Sequence, residues 1–129
     1  MYKRQVASQV ATAVVALLLT FSLIISALCA AFDVYTEKQQ FDVLAKKAEN
    51  CIELFPLQPQ FYYYAGLANN QLMQFKNAKE MLEMGLDYIV NDQTLEINFN
   101  IQLGEAYNGL GDFKKKEVYF TKANQLLKK

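Results

Sequence analysis

The chain has 129 residues with 13 basic and 13 acidic side chains, so no net charge selects nucleic acid or an acidic partner. Its length suits one domain with a modest core. There is no histidine or tryptophan and only two cysteines, Cys29 and Cys51, which removes histidine-based triads, most zinc sites and a disulfide framework.

From Val6 to Phe32 the sequence VASQVATAVVALLLTFSLIISALCAAF holds no charge, proline or glycine. As a helix it would run about 40 Å, ample for a hydrocarbon core of about 30 Å. It is apolar all round, unlike an amphipathic surface helix. The first reading of 6–32 is an uncleaved single-pass anchor, because the run exceeds a signal h-region of about 7–15 residues. Two alternatives stay open: a cleavable signal peptide, with Cys29, Ala30 and Ala31 as small residues near the cut, and a helix buried in protein. Lys3 and Arg4 precede the run while Asp33 and Glu37 follow it, so the positive-inside rule puts the N-terminus in the cytoplasm and residues 33–129 outside. The segment YKRQ after Met1 is also what a transposon end, TAT-AAG-AGA-CAG, encodes after a start codon. On that reading residues 1–5 are adaptor-derived rather than a cytoplasmic flank, and the chain is a C-terminal fragment.

Past Phe32 amphipathic helical segments alternate with short breaks. FDVLAKKAENCIELF places Phe41, Leu44, Ala45, Ala48, Cys51, Ile52 and Phe55 at i, i+3, i+4 spacing and ends at Pro56. PQFYYYAGLANNQLM begins with Pro59 near a first helical turn, where a missing N–H does no harm. Its four consecutive rings, Phe61 to Tyr64, point in every direction around a helix that turns about 100° per residue. FKNAKEMLEMGLDYIV carries a stripe of Phe75, Ala78, Met81, Leu82 and Leu86. TLEINFNIQLGEAYNGL is capped by Gly111-Asp112, and FKKKEVYFTKANQLLKK closes the chain. Period-2 alternation is absent, so no strand is expected.

Two stretches align with Gly66 over Gly104, at an offset of 38 residues. Ala68 then matches Ala106, Leu72 Leu110, Phe75 Phe113, Leu82 Phe120 and Gly85 Ala123. Further back, Phe41 corresponds to Phe75 and Cys51 to Gly85 at an offset of 34. The segments resemble tetratricopeptide repeats (TPR), helix-turn-helix units with a period of about 34 residues. LGEAYNGLGDF, with Gly104, Tyr107 and Phe113, carries the most diagnostic part of that pattern, and AGLANNQLMQF is a looser match. Departures are Asn69 where Tyr is usual, Met73 where Gly is usual, Lys116 where Ala is usual, and a lengthening around DYIVNDQTL. The resemblance covers about Gln40 to Lys129, as a half unit 40–56 and units 59–91 and 94–129. Extended backwards, the register puts Phe32 where Gly belongs.

The expected fold is therefore all-α, a TPR-like α-solenoid of antiparallel hairpins preceded by a long hydrophobic helix. Gly66, Gly104, Gly85, Ala68, Ala78, Ala106 and Ala123 are the small residues that let helices approach, while Phe75, Phe113 and Phe120 fill the remaining space. The resemblance implies that Tyr63, Leu67 and Asn70, with Ile101, Glu105 and Asn108, line a concave groove for a protein or peptide. The alternative is that these residues merely contact an adjoining helix. Tyr63 and Ile101 stand where a carboxylate-clamping groove would want lysine. The lysines of the last helix, Lys114, Lys115, Lys116, Lys122, Lys128 and Lys129, lie apart from its aromatic stripe, so no nucleic-acid face is expected. No cofactor, metal or catalytic residue is implied. Resemblance and apolar run together suggest non-catalytic scaffolding or assembly at a bacterial envelope, membrane-tethered through 6–32, or secreted or periplasmic if 6–32 is cleaved. A capping fragment of a longer array with a purely structural role is the rival. Oligomeric state is left open.

Overall fold

The absence of glycine and proline between Tyr2 and Glu37 leaves nothing to interrupt a helix, and in the computed structural model, which describes residues 2–129, α1 runs unbroken over Tyr2–Glu37. Thr12, Thr20 and Thr36 donate their hydroxyls to the carbonyls of Ser8, Ala16 and Phe32, which keeps polar atoms satisfied inside an apolar helix. The chain divides into two compact units, Met1–Ala31 and Phe32–Lys129. In the first, the most apolar stretch has mean hydropathy 2.6 and only 6% of it is buried in protein. Such an outward-facing apolar surface is what a bilayer, not water, would solvate.

The second unit continues with α2 (Phe41–Leu54), α3 (Pro59–Gln71), α4 (Phe75–Leu86), α5 (Gln93–Gly109) and α6 (Phe113–Leu127). Among the described residues every element is a helix. One turn recurs three times. Gln39, Met73 and Gly111 sit at φ 57°, 60° and 78°, in the left-handed region. The next N–H in each case reaches back five residues: Gln40 to Tyr35 O (2.9 Å), Gln74 to Asn69 O (2.8 Å) and Asp112 to Tyr107 O (3.0 Å). The N–H groups of Gln39, Met73 and Gly111 bond the carbonyls of Thr36, Asn70 and Asn108. These are Schellman closures, and each is followed by a phenylalanine that opens the next helix: Phe41, Phe75 and Phe113. The first turn carries no sequence signal, because its left-handed residue is Gln39 rather than glycine.

Each helix from α2 onward packs on its chain neighbour, and α3 also packs on α5. Gly66 and Gly104 hold matching places in these contacts. A Cβ on Gly66 would lie 2.3 Å from Leu82 Cγ, and one on Gly104 would lie 2.5 Å from Phe120 Cε1. Leu82 and Phe120 are also the residues the 38-residue offset pairs. Gly85 seats Tyr62 and Phe99, joining α3, α4 and α5. The central cluster is Tyr62, Leu82, Leu95, Phe99, Leu103 and Tyr107.

The four rings of α3 are all taken up by neighbouring groups, with Phe32 shared by two of them. Phe61 meets Phe32 and Phe55 at 5.9 Å each. Tyr62 packs on Tyr88 and donates to Pro56 O at 2.7 Å. Tyr63 faces Phe99 of α5 at 6.0 Å, and Tyr64 meets Phe32 at 5.3 Å. Leu72 falls in the turn beyond α3 and is exposed.

Candidate functional site

Tyr63, Leu67 and Asn70 lie on α3, while Ile101, Glu105 and Asn108 lie on α5. Asn70 is buried, and its Nδ2 donates to both Gln102 O and Gln102 Oε1 at 2.9 Å, tying α3 to α5. Its Oδ1 is buried and has no protein partner. Tyr63 and Leu67 are half-buried, as is Ile101, whereas Glu105 and Asn108 are exposed. Beside Tyr63, the Tyr64 hydroxyl donates to Asp33 Oδ1 at 2.6 Å. Burial raises the Tyr63 phenol pKa, and the Asp33 carboxylate adds to it. That phenol therefore stays protonated, offering a donor rather than a charge.

The small-residue positions Gly66, Ala68, Ala78, Gly85, Gly104, Ala106 and Ala123 are buried, as is Tyr107. Phe113 differs: it is 62% exposed, although its counterpart Phe75 is half-buried against Gly109. Asn69, in the place where Tyr is usual, is buried and bonds Ala65 O at 2.7 Å, so an amide fills a ring's position by turning back on its own helix.

Sequence reasoning missed Gln102 and Asp33, the groups that Asn70 and Tyr64 address. No motif marks either; only a three-dimensional register places them. It also missed a cluster around Tyr107, whose hydroxyl donates to Glu83 Oε1. Tyr119 stacks on Tyr107 with rings 5.5 Å apart, and the ammonium groups of Lys79 and Lys115 lie over the Tyr107 ring at 5.8 and 5.2 Å. Burial first, then the bond and charge of Glu83, push the Tyr107 pKa well up. Lys122 likewise lies 5.0 Å over Tyr119, so part of the basic face of α6 covers aromatic rings. Among the described residues no group of three or more acidic or cysteine side chains is placed to hold a metal ion.

The class these observations define is an all-helical protein with one N-terminal helix long and apolar enough to cross a membrane. Comparisons with family models, curated proteins and solved structures give no match to the chain.

Proposed function

We propose that the chain is a non-catalytic protein–protein interaction module, a TPR-like solenoid of helical hairpins held at a membrane by residues 6–32. The observation that carries this reading is the threefold recurrence of one turn and the matched seats of Gly66 and Gly104. Units that bury their flanks only on one another present an extended surface, and this is the usual platform for peptide recognition. In this reading Tyr63, Leu67, Ile101 and Glu105 supply the groove with an aromatic face, two aliphatic groups and one acid. Asn70 supports that surface from beneath, tying α3 to α5 through Gln102. Residues 33–129 lie outside the cytoplasm by the charge flanks of the run, at a bacterial envelope.

The test is co-purification of partners with the full chain and with Leu67→Lys plus Glu105→Lys, each protein checked for helicity by circular dichroism. Loss of the partners with helicity intact supports the groove. Full retention leaves the rival, an array-capping piece with a purely structural role. Carbonate extraction reports on the anchor: the full chain stays with the membrane, and release into the soluble fraction refutes tethering.

A further inference from the structure

The apolar run and the helical unit share a residue. Phe32 closes the run, yet it is buried, and its ring meets Phe61 at 5.9 Å and Tyr64 at 5.3 Å. No linker separates the two, so a bilayer that holds residues 6–32 reaches the unit at Phe32. Phe32 marks one edge of that unit. Phe61 is the third residue of α3 and packs on Phe55, in the turn between α2 and α3. Tyr62 donates to Pro56 O in that turn and packs at 5.6 Å on Tyr88, in the loop between α4 and α5. Leu57, Tyr88 and Val90 line one depression with Pro59 and Leu95. The point where the chain enters the unit and these two loops therefore lie along the same edge. From there α5 carries the backbone about 25 Å away, to the turn before Phe113.

The composition of the two loops is wrong for water. Leu54 is 72% exposed, Leu57 67% and Val90 77%, and Tyr88 is exposed beside them. Turns that meet water are ordinarily built from small polar residues. Neither loop holds a lysine or arginine, and none occurs at 48–75 or 80–113, so attraction to anionic headgroups is not their chemistry. Aliphatic tips with a tyrosine beside them suit the boundary between headgroups and acyl chains, where the ring lies on the apolar side and its hydroxyl on the wet side. Tyr88 and Val90 belong to the lengthened stretch DYIVNDQTL, where the chain departs from the repeat pattern, so this edge is not a property of the repeats themselves.

We infer that the edge formed by the α2–α3 turn and the α4–α5 loop is a lipid-contacting surface, which inserts Leu54, Leu57, Tyr88 and Val90 into the interfacial layer of the bilayer that residues 6–32 enter. The occupant is lipid because the chain joins the membrane beside these loops. Burial of apolar side chains drives the contact, and neutral lipid suffices. The inference rests on the reading of 6–32 as an anchor and adds a second contact that an anchor alone does not require.

The chain has no tryptophan, so Leu57→Trp, Val90→Trp and, beyond the far end of α5, Phe113→Trp each provide a sole reporter. Each full-length variant is placed in phosphatidylcholine nanodiscs, with or without lipid brominated on its acyl chains, which quenches only tryptophan that touches it. The Leu57→Trp and Val90→Trp reporters are expected to be quenched about threefold more strongly than the Phe113→Trp reporter, with blue-shifted emission. Adding Leu54→Glu and Leu57→Glu to the Val90→Trp chain brings its quenching down to the Phe113→Trp level. The replaced side chains are all exposed, so circular dichroism stays that of the parent. Equal quenching of the Val90→Trp and Phe113→Trp reporters overturns the inference. Quenching that survives the two glutamates, or that appears only with anionic lipid, overturns it as well. A blue shift without quenching means that protein, such as a second copy of the chain, covers the edge, and that also overturns it. Carbonate extraction separates the two failures. A chain released into the soluble fraction ends the anchor reading and this inference together, whereas a retained chain with an unquenched Val90→Trp reporter ends this inference alone.

Discussion

At Gly66 and Gly104 the same residue type meets different neighbours, and the difference sets the cost of adding one carbon. Gly66 lies against Leu82, which has no exposed surface and so cannot swing out into solvent. Gly104 lies against the tip of the Phe120 ring, which is half-buried and can swing outward. Overpacking a closed core costs about 1–3 kcal/mol. Gly66→Ala is expected near the top of that range and Gly104→Ala near its foot, read from urea unfolding in mild detergent. Equal losses would show that both seats are equally closed. Gly111 makes the opposite point: nothing stands within 4 Å of its Cβ position, and its φ of 78° alone calls for glycine. Met73 adopts the same left-handed conformation with a side chain attached. Met73→Gly is therefore expected to stabilise the chain by about 1 kcal/mol, as a higher thermal midpoint.

At the scale of elements, the helices differ in how they begin. Asp92 and Asp112 cap α5 and α6, accepting from Leu95 N (2.9 Å) and Lys115 N (3.1 Å). Gln40, Gln58 and Gln74 hold the corresponding places for α2, α3 and α4 and make no side-chain cap. Losing a cap costs about 1 kcal/mol. Asp112→Ala should lower stability by that amount and Gln74→Asp should raise it by somewhat less, both checked by thermal melts. Helix positions were legible because Pro56, Pro59 and Gly111-Asp112 punctuate amphipathic stripes of period 3.6. The turn at Gln39 was less so. A left-handed glutamine carries no composition signal, and its geometry is imposed by the packing on either side. The exposure of Phe113 was hidden for a similar reason: the pattern assigns a ring to that place, but only the neighbouring unit supplies something to bury it.

At the scale of the molecule, four phenols of the unit Phe32–Lys129 are embedded between helices. Tyr62, Tyr63, Tyr107 and Tyr119 all have pKa values raised, chiefly by burial. In a folded chain whose tyrosines hold their protons more tightly than the unfolded chain does, that contribution to stability is present below the unfolded value of about 10. It is lost as pH climbs through the folded values. Stability should thus fall steeply above pH ~10, with a shallower slope in Tyr107→Phe, measured by urea titrations across the alkaline range. A slope identical to that of the parent chain would remove Tyr107 from the explanation. The site was legible only as a set of positions. That Asn70 is committed to Gln102 follows from the way α5 lies on α3, which no single helix pattern contains.

The last helix buries just one side chain, Ala123, while the centre of the unit holds Tyr62, Leu82, Phe99 and Leu103. With so little buried surface to anchor it, α6 is expected to have the lowest free energy of opening among the packed helices. Limited proteolysis is accordingly expected to cut first between Gly109 and Phe113, ahead of the turns between the earlier helices.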